Sequence, residues 1–134
     1  MVNINFFSDI GAIKFPVQKI VAVFNKIIKV KEKLFVNVIL ISPNKIRKIN
    51  NNYRKKNKIT DVLSFRYHRE IGEIYICYAQ AKKQAKENGL STQQELTTLL
   101  IHGLLHVAGY HHEKSERQAK RMFTKQQKIV SLCR

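Results

Sequence analysis

The sequence predicts an α+β fold: one mixed β-sheet of about four strands, covered by helices. Three observations carry that reading. Four short stretches alternate apolar and polar residues or run continuously apolar, the two patterns that strands show. Five others repeat apolar residues every three to four positions, as helices do. The resulting order is β-α-β-α-β-β-α-α-α, with one connection between strands short enough for an antiparallel pair. Hydrophobic residues make up 44% of the 134, enough for a real core, and 5 Gly and 2 Pro are too few for a collagen-like or linker-rich chain. No internal repeat or composition break divides residues 1–134, which read as a single domain.

Each element has its own signal. Residues 2–7 alternate as a short strand. Pro16 suits the first turn of a helix in which Val17, Ile20, Val21, Phe24, Ile27 and Ile28 form one apolar face. Leu34 to Ile41 is almost wholly apolar and β-branched, which predicts a strand buried on both faces. Ser42-Pro43 supplies an N-cap and a first-turn proline for a helix with Ile46, Ile49 and Tyr53 on one side. Residues 62–67 and 73–78 are the two hairpin strands. A helical pattern starts at Ala79 and stops at Gly89, a C-cap residue. Ser91 with Gln94 forms a capping box for the helix that carries Glu95 to Ala108, and a last helix follows Glu113.

Charge narrows the function classes. Lys and Arg total 25 against 9 Asp and Glu, a net charge of +16, which points to a polyanionic partner: nucleic acid or an anionic membrane surface. No stretch approaches the roughly 18 consecutive apolar residues of a membrane helix. Residues 1–9 lack a signal-peptide pattern. Cys77 and Cys133 form no CxxC pair and no disulfide framework, so reduced thiols in a soluble, cytoplasmic protein are expected.

Four of the five histidines fall between positions 102 and 112. His102 and His106 are four apart on a helix that is apolar nearly all round, so they share one face of a buried element. Gly109 can take the left-handed conformation that ends the helix and returns the chain, bringing His112 to the same point. The pattern HxxxHxxGxxH has the ligand spacing of the metzincin zinc site. Three imidazoles with a fourth position left open describe a catalytic zinc centre, one ion per chain. Zincins place their general-base Glu directly after the first His, where this chain has Gly103, so peptidase chemistry lacks its proton acceptor. A glycine inside a helix costs about 1 kcal/mol relative to Ala, and close approach of a strand or of a substrate would each account for it.

The stretch His102-Gly-Leu-Leu-His106-Val-Ala-Gly109-Tyr110-His111-His112 closely resembles the HGxLHLxGYDH signature of the YbeY family, bacterial endoribonucleases of rRNA maturation. Tyr53-Arg54, Thr60-Asp61-Val62-Leu63-Ser64-Phe65 and Gly72-Glu73-Ile74-Tyr75-Ile76 resemble that family's YR, TDVLSF and GDIxI segments in the same order. The resemblance implies a metal-dependent endoribonuclease specific for single strands. Zinc would sit on His102, His106 and His112, Arg54 would be the catalytic residue, and the RNA would be an rRNA precursor or the small ribosomal subunit. Ribosome-assembly proteins are implied as further partners, and neither DNA nor membrane. His111 stands where the family has Asp. Ile59 and Arg66 replace its flanking prolines, and the loop between the hairpin strands is short.

Seven basic residues and no acid lie between Lys45 and Lys58, and the last helix adds Arg117, Lys120, Arg121, Lys125 and Lys128. Such surfaces hold a phosphate backbone by counterion release. Arg54 stands apart because a guanidinium grips phosphate in a bidentate fashion and because it matches a family position. No RNA-recognition motif with stacked aromatics is present, so any sequence choice is expected to come from RNA shape or from a guiding partner such as the ribosome. His111, Glu73, Asp61 and a ribose 2′-hydroxyl all remain open as participants in proton transfer or attack. Met122 and Phe123 read as core, and neither cysteine has partners in a zinc spacing. The rival reading is a non-catalytic ribosome-assembly or RNA-binding factor with a structural zinc.

Overall fold

The computed structural model, which describes residues 1–134, contains β1 (Val2–Ser8), α1 (Val17–Ile27), β2 (Leu34–Ile41), α2 (Pro43–Arg54), β3 (Val62–His68), β4 (Ile71–Cys77), α3 (Tyr78–Glu87), α4 (Thr92–Val107) and α5 (Glu116–Leu132). The strands form one sheet in the order β1-β2-β4-β3. β1 and β4 run parallel to β2, and β3 runs antiparallel to β4 at an edge. The α+β class and the mixed four-stranded sheet are as the sequence predicts. β4 begins two residues earlier than the alternation suggested, at Ile71, so the hairpin turn shrinks to Arg69-Glu70 and β3 carries a bulge between Arg66 and His68. No helix is long and apolar enough to cross a membrane.

The core lies on one face of the sheet. Leu34, Val36, Val38 and Leu40 of β2 meet Ile20 and Phe24 of α1, Leu100, Ile101 and Leu104 of α4, and Met122 and Ile129 of α5. On the other face only α2 packs, over Ile41, Leu63 and Cys77 through its buried Ile46. That asymmetry corrects the reading of β2 as buried on both faces. Its alternate residue Phe35 is 50% exposed, and Asn37 and Ile39 are half-buried. The strand is apolar throughout, but one helix covers only one end of its outer face.

α4 approaches β4 closely. A Cβ added at Gly103 would lie 2.9 Å from Cγ2 of Ile74, and one added at Gly72 would lie 2.7 Å from Cγ1 of Val107. Each glycine therefore admits a side chain from the opposing element. Of the two explanations for Gly103, the approach of a strand is the one observed.

Candidate metal centre and its cleft

Ser91 caps α4 by accepting from the Gln94 backbone N–H while the Gln94 side chain accepts from the Ser91 N–H, so the helix starts at a defined residue. Its far end is equally defined. Gly109 sits at φ +103°, its N–H donates to the His106 carbonyl, and the Tyr110 N–H donates to the Leu105 carbonyl. These are the paired bonds of a Schellman turn, and the left-handed residue they need is the glycine. Arg66 on β3 reinforces the end by donating to the Val107 carbonyl, which has no helical partner.

The turn folds His112 back over the helix face that bears His102 and His106. Ring centroids lie 4.7 Å apart for His102 and His106, 5.5 Å for His102 and His112, and 4.9 Å for His106 and His112. One ring nitrogen from each lies within 4.8 Å of the others. The Nε2 atoms of His102 and His106 are 3.1 Å apart. Two nitrogens bound at 2.0–2.1 Å to one tetrahedral zinc would be about 3.3 Å apart, so this spacing fits the ion. The carboxamide of Gln126 on α5 fixes one tautomer: Oε1 lies 2.8 Å from His102 Nδ1 and can only accept. His102 therefore donates from Nδ1 and turns a lone pair inward from Nε2. Burial, followed by the neighbouring His102 and His112, pushes His106 down to about 4, so it is neutral at pH 7, the form that binds metal.

His111 stays out of this group, with its ring 6.2 Å from His106, and it lines adjoining hollows with Gly109 and Arg66 instead. Glu113 stands next to His112, its Oε2 3.3 Å from Nδ1 and 3.2 Å from the backbone N–H. Its own backbone amide, with His112 and His106 beyond it, holds the Glu113 carboxyl below the usual range.

The three imidazoles open into a cleft of about 590 Å³ whose other walls include Arg54, Lys56, Asp61, Ser64, Phe65 and Glu113. Arg54 is the last residue of α2. Lys55 follows at φ 56°, and the loop beyond is held by buried Asn50, whose Nδ2 donates to the Lys58 carbonyl and whose own carbonyl accepts from the Lys56 N–H. Asp61 accepts from the Val62 N–H through Oδ1 and from Gln84 through Oδ2, and Gln84 also donates to the buried Glu95 of α4. Of the three side chains considered for proton transfer, Asp61 borders the cleft. Glu73 points to the opposite face of the sheet, where it accepts from the Tyr75 hydroxyl.

A family model described as "Endoribonuclease YbeY" matches residues 7–134. The chain belongs to the YbeY family. A YbeY protein of Thermotoga petrophila is 44% identical over 97 residues, 71% of this chain and 65% of its own length. One from Endomicrobium trichonymphae is 48% identical over 96 residues, covering 70% of this chain and 67% of that one. The solution structure of a Thermotoga maritima protein superposes with a TM-score of 0.68 at 34% identity, over 96% of this chain and 87% of the other. The aligned stretch thus covers just under two thirds of the Thermotoga petrophila relative.

Two residues of the site went unread in the sequence. Gln126 lies one helical repeat beyond Met122 and three residues before Ile129, on the buried stripe of α5. A polar residue on an apolar stripe was the available signal. Glu113 gave none, since an acid beside a histidine is common. Phe123, read as core with Met122, is 58% exposed, because only Met122 falls on that stripe.

Proposed function

We propose that residues 1–134 work as one metallohydrolase domain: a zinc-dependent endoribonuclease that cleaves single-stranded segments of rRNA precursors on the small ribosomal subunit in the cytoplasm. The observation that carries this reading is the convergence of three imidazoles and one guanidinium on a single open cleft of a strongly basic protein. His102, His106 and His112 would hold the ion. The chemistry it supplies there is Lewis acidity toward a phosphoryl oxygen and activation of water.

The chain's own groups do the rest. Arg54 grips the non-bridging oxygens of the scissile phosphate and stabilises the charge that grows on them. Lys56 and the neighbouring basic residues hold the flanking backbone. Asp61, braced by Gln84 and the Val62 amide, is a carboxylate placed to take a proton. Gln126 keeps His102 in its inward-facing tautomer.

A structural zinc in a non-catalytic assembly factor is the weaker reading, since such sites are closed by four protein ligands and this trio opens onto the cleft. The test is elemental analysis paired with cleavage of ribosome-bound precursor. One zinc per chain with cleavage is expected for the wild type and for His111→Ala. His102→Ala and His112→Ala should lose both. Zinc retained in a His102→Ala/His106→Ala variant, or no cleavage by the zinc-loaded wild type above His102→Ala, contradicts the proposal.

A further inference from the structure

The edge strand β3 separates two surfaces. One is the histidine cleft. The other is the outer face of the sheet, left partly bare by α2, where aromatic rings from three elements gather. Phe65 of β3 is the hub: its centroid lies 5.2 Å from Tyr53 of α2, 5.9 Å from Tyr67 of the same strand and 6.2 Å from Tyr75 of β4. Tyr67 is the residue at the β3 bulge, and its ring lies beside that of Phe65 with the two planes only 19° apart. The two outer rings are open to solvent, Tyr53 at 62% and Tyr67 at 50%. Packing under α2 accounts for Phe65 and Tyr75, and it leaves the outer tyrosine rings open to solvent.

Two features say what covers it. The patch is continuous with the cleft, because Phe65 lines both. The chain also splits at the end of α2: Tyr53 goes to the patch and Arg54, the next residue, to the cleft. Arg54 and Lys56 line the cleft at this boundary, Lys55 and Lys58 next to them in sequence are exposed, and no acid lies among the four. The one acid within the patch, Glu73, is occupied as the acceptor of the Tyr75 hydroxyl. Burial and Glu73 push Tyr75 up to about 12 and raise Tyr67 as well, so both hydroxyls stay protonated and the rings neutral.

We propose that Tyr53 and Tyr67, seated on Phe65, form a base-stacking subsite for the unpaired nucleotides beside the phosphate that Arg54 holds. This rests on the nuclease reading above. It gives that reading a physical source of single-strand selectivity, since only unstacked bases can lie on the rings while the backbone crosses the basic boundary. A paired strand keeps its bases inside the duplex and gains nothing from the patch.

The test is equilibrium binding of the zinc-loaded 134-residue chain, at one fixed salt concentration, to three 2′-O-methyl probes checked intact by gel. They are a single-stranded oligouridylate, an abasic strand of equal length and a blunt duplex. Loss of one stacked base is worth about 5- to 150-fold in affinity. Tyr53→Leu and Tyr67→Leu should each weaken the single strand within that range and leave the abasic strand and duplex unchanged. Tyr53→Phe and Tyr67→Phe should restore binding, because stacking needs the ring and not the hydroxyl. The chain has no Trp, so its tyrosine emission should be quenched by the single strand and not by the abasic strand.

Equal binding of all three probes, or leucine variants that bind the single strand as the wild type does, overturns the subsite. So does a change confined to sedimentation, which would assign the patch to self-association or a protein partner. Cleavage of precursor by the wild type alongside such a result would leave the nuclease reading standing. A wild type that neither binds nor cleaves RNA overturns both.

Discussion

Gln126 and Glu113 each engage one Nδ1 of the histidine trio, His102 at 2.8 Å and His112 at 3.3 Å. Groups that orient a ligating imidazole typically account for 10- to 100-fold in metal affinity. Gln126→Leu should therefore weaken zinc binding by about that factor in a chelator competition, with the fold retained. Unchanged affinity would reduce Gln126 to a packing residue. His106 gives a second expectation at this scale. Its folded value of about 4, against an ordinary 6.5, means that the unfolded chain takes up a proton first as pH falls. Burial is the main cause, with His102, His112 and His111 opposing its charge and Glu113 favouring it. Stability of the chelator-treated chain is then full above pH 6.5 and declines as pH falls toward 4. His106→Gln should flatten the decline in melting temperature between pH 7 and pH 5, and an equally steep decline in that variant would assign the effect elsewhere. The histidine trio was legible because its spacing is set by one helix and one glycine turn. The Gln126 contact was not, because it joins residues 24 apart through the packing of α5 on α4.

α4 shows how an element's sequence records its neighbour. Gly103 occupies the position where a zincin carries its base, and Ile74 fills the space a Cβ would need. Gly103→Ala gains about 1 kcal/mol of helix propensity. It also overpacks the contact, at a cost of about 1–3 kcal/mol. The net expectation is a loss of about 1 kcal/mol in denaturant unfolding. Adding Ile74→Ala removes the Cγ2, Cδ1 and Cγ1 atoms that crowd that Cβ. The double variant should be more stable than the sum of the two single changes, a coupling that two non-touching residues do not show. Additive effects would mean the helix is not seated on β4 as described. Boundaries of α2 and α4 were readable because Ser42 and Ser91 cap them through backbone N–H groups three residues on, whereas the last helix, expected after Glu113, starts at Glu116 under a Ser115 cap that went unread. The half-bare outer face of β2 was not readable, because Leu34–Ile41 is apolar on both faces whether or not a helix covers it.

Across the whole molecule, a charge of +16 over 134 residues biases every encounter toward polyanions. RNA affinity should fall steeply and log-linearly with salt, and Lys55→Ala and Lys56→Ala should each lower the slope while leaving the rate at saturating RNA nearly unchanged. A slope indifferent to both substitutions would move the phosphate track to another face. Motif order along the chain made the family legible, because each motif is continuous in sequence, lying within one element or within an element and its adjoining turn. The aromatic patch has no linear signature, since Tyr53, Phe65 and Tyr75 come from three elements and meet only once α2 docks on the hairpin. The central claim is that Arg54 and the histidine trio form one RNA-cleaving site. Single-turnover cleavage of precursor by Arg54→Ala, with enzyme in excess, tests it most directly. Loss of a preorganised charge-stabilising group should slow the saturated rate by about 10²-fold or more, with zinc content unchanged and RNA affinity little altered. A rate that returns to the wild-type value at saturating enzyme would show that Arg54 only docks RNA, and would contradict the account.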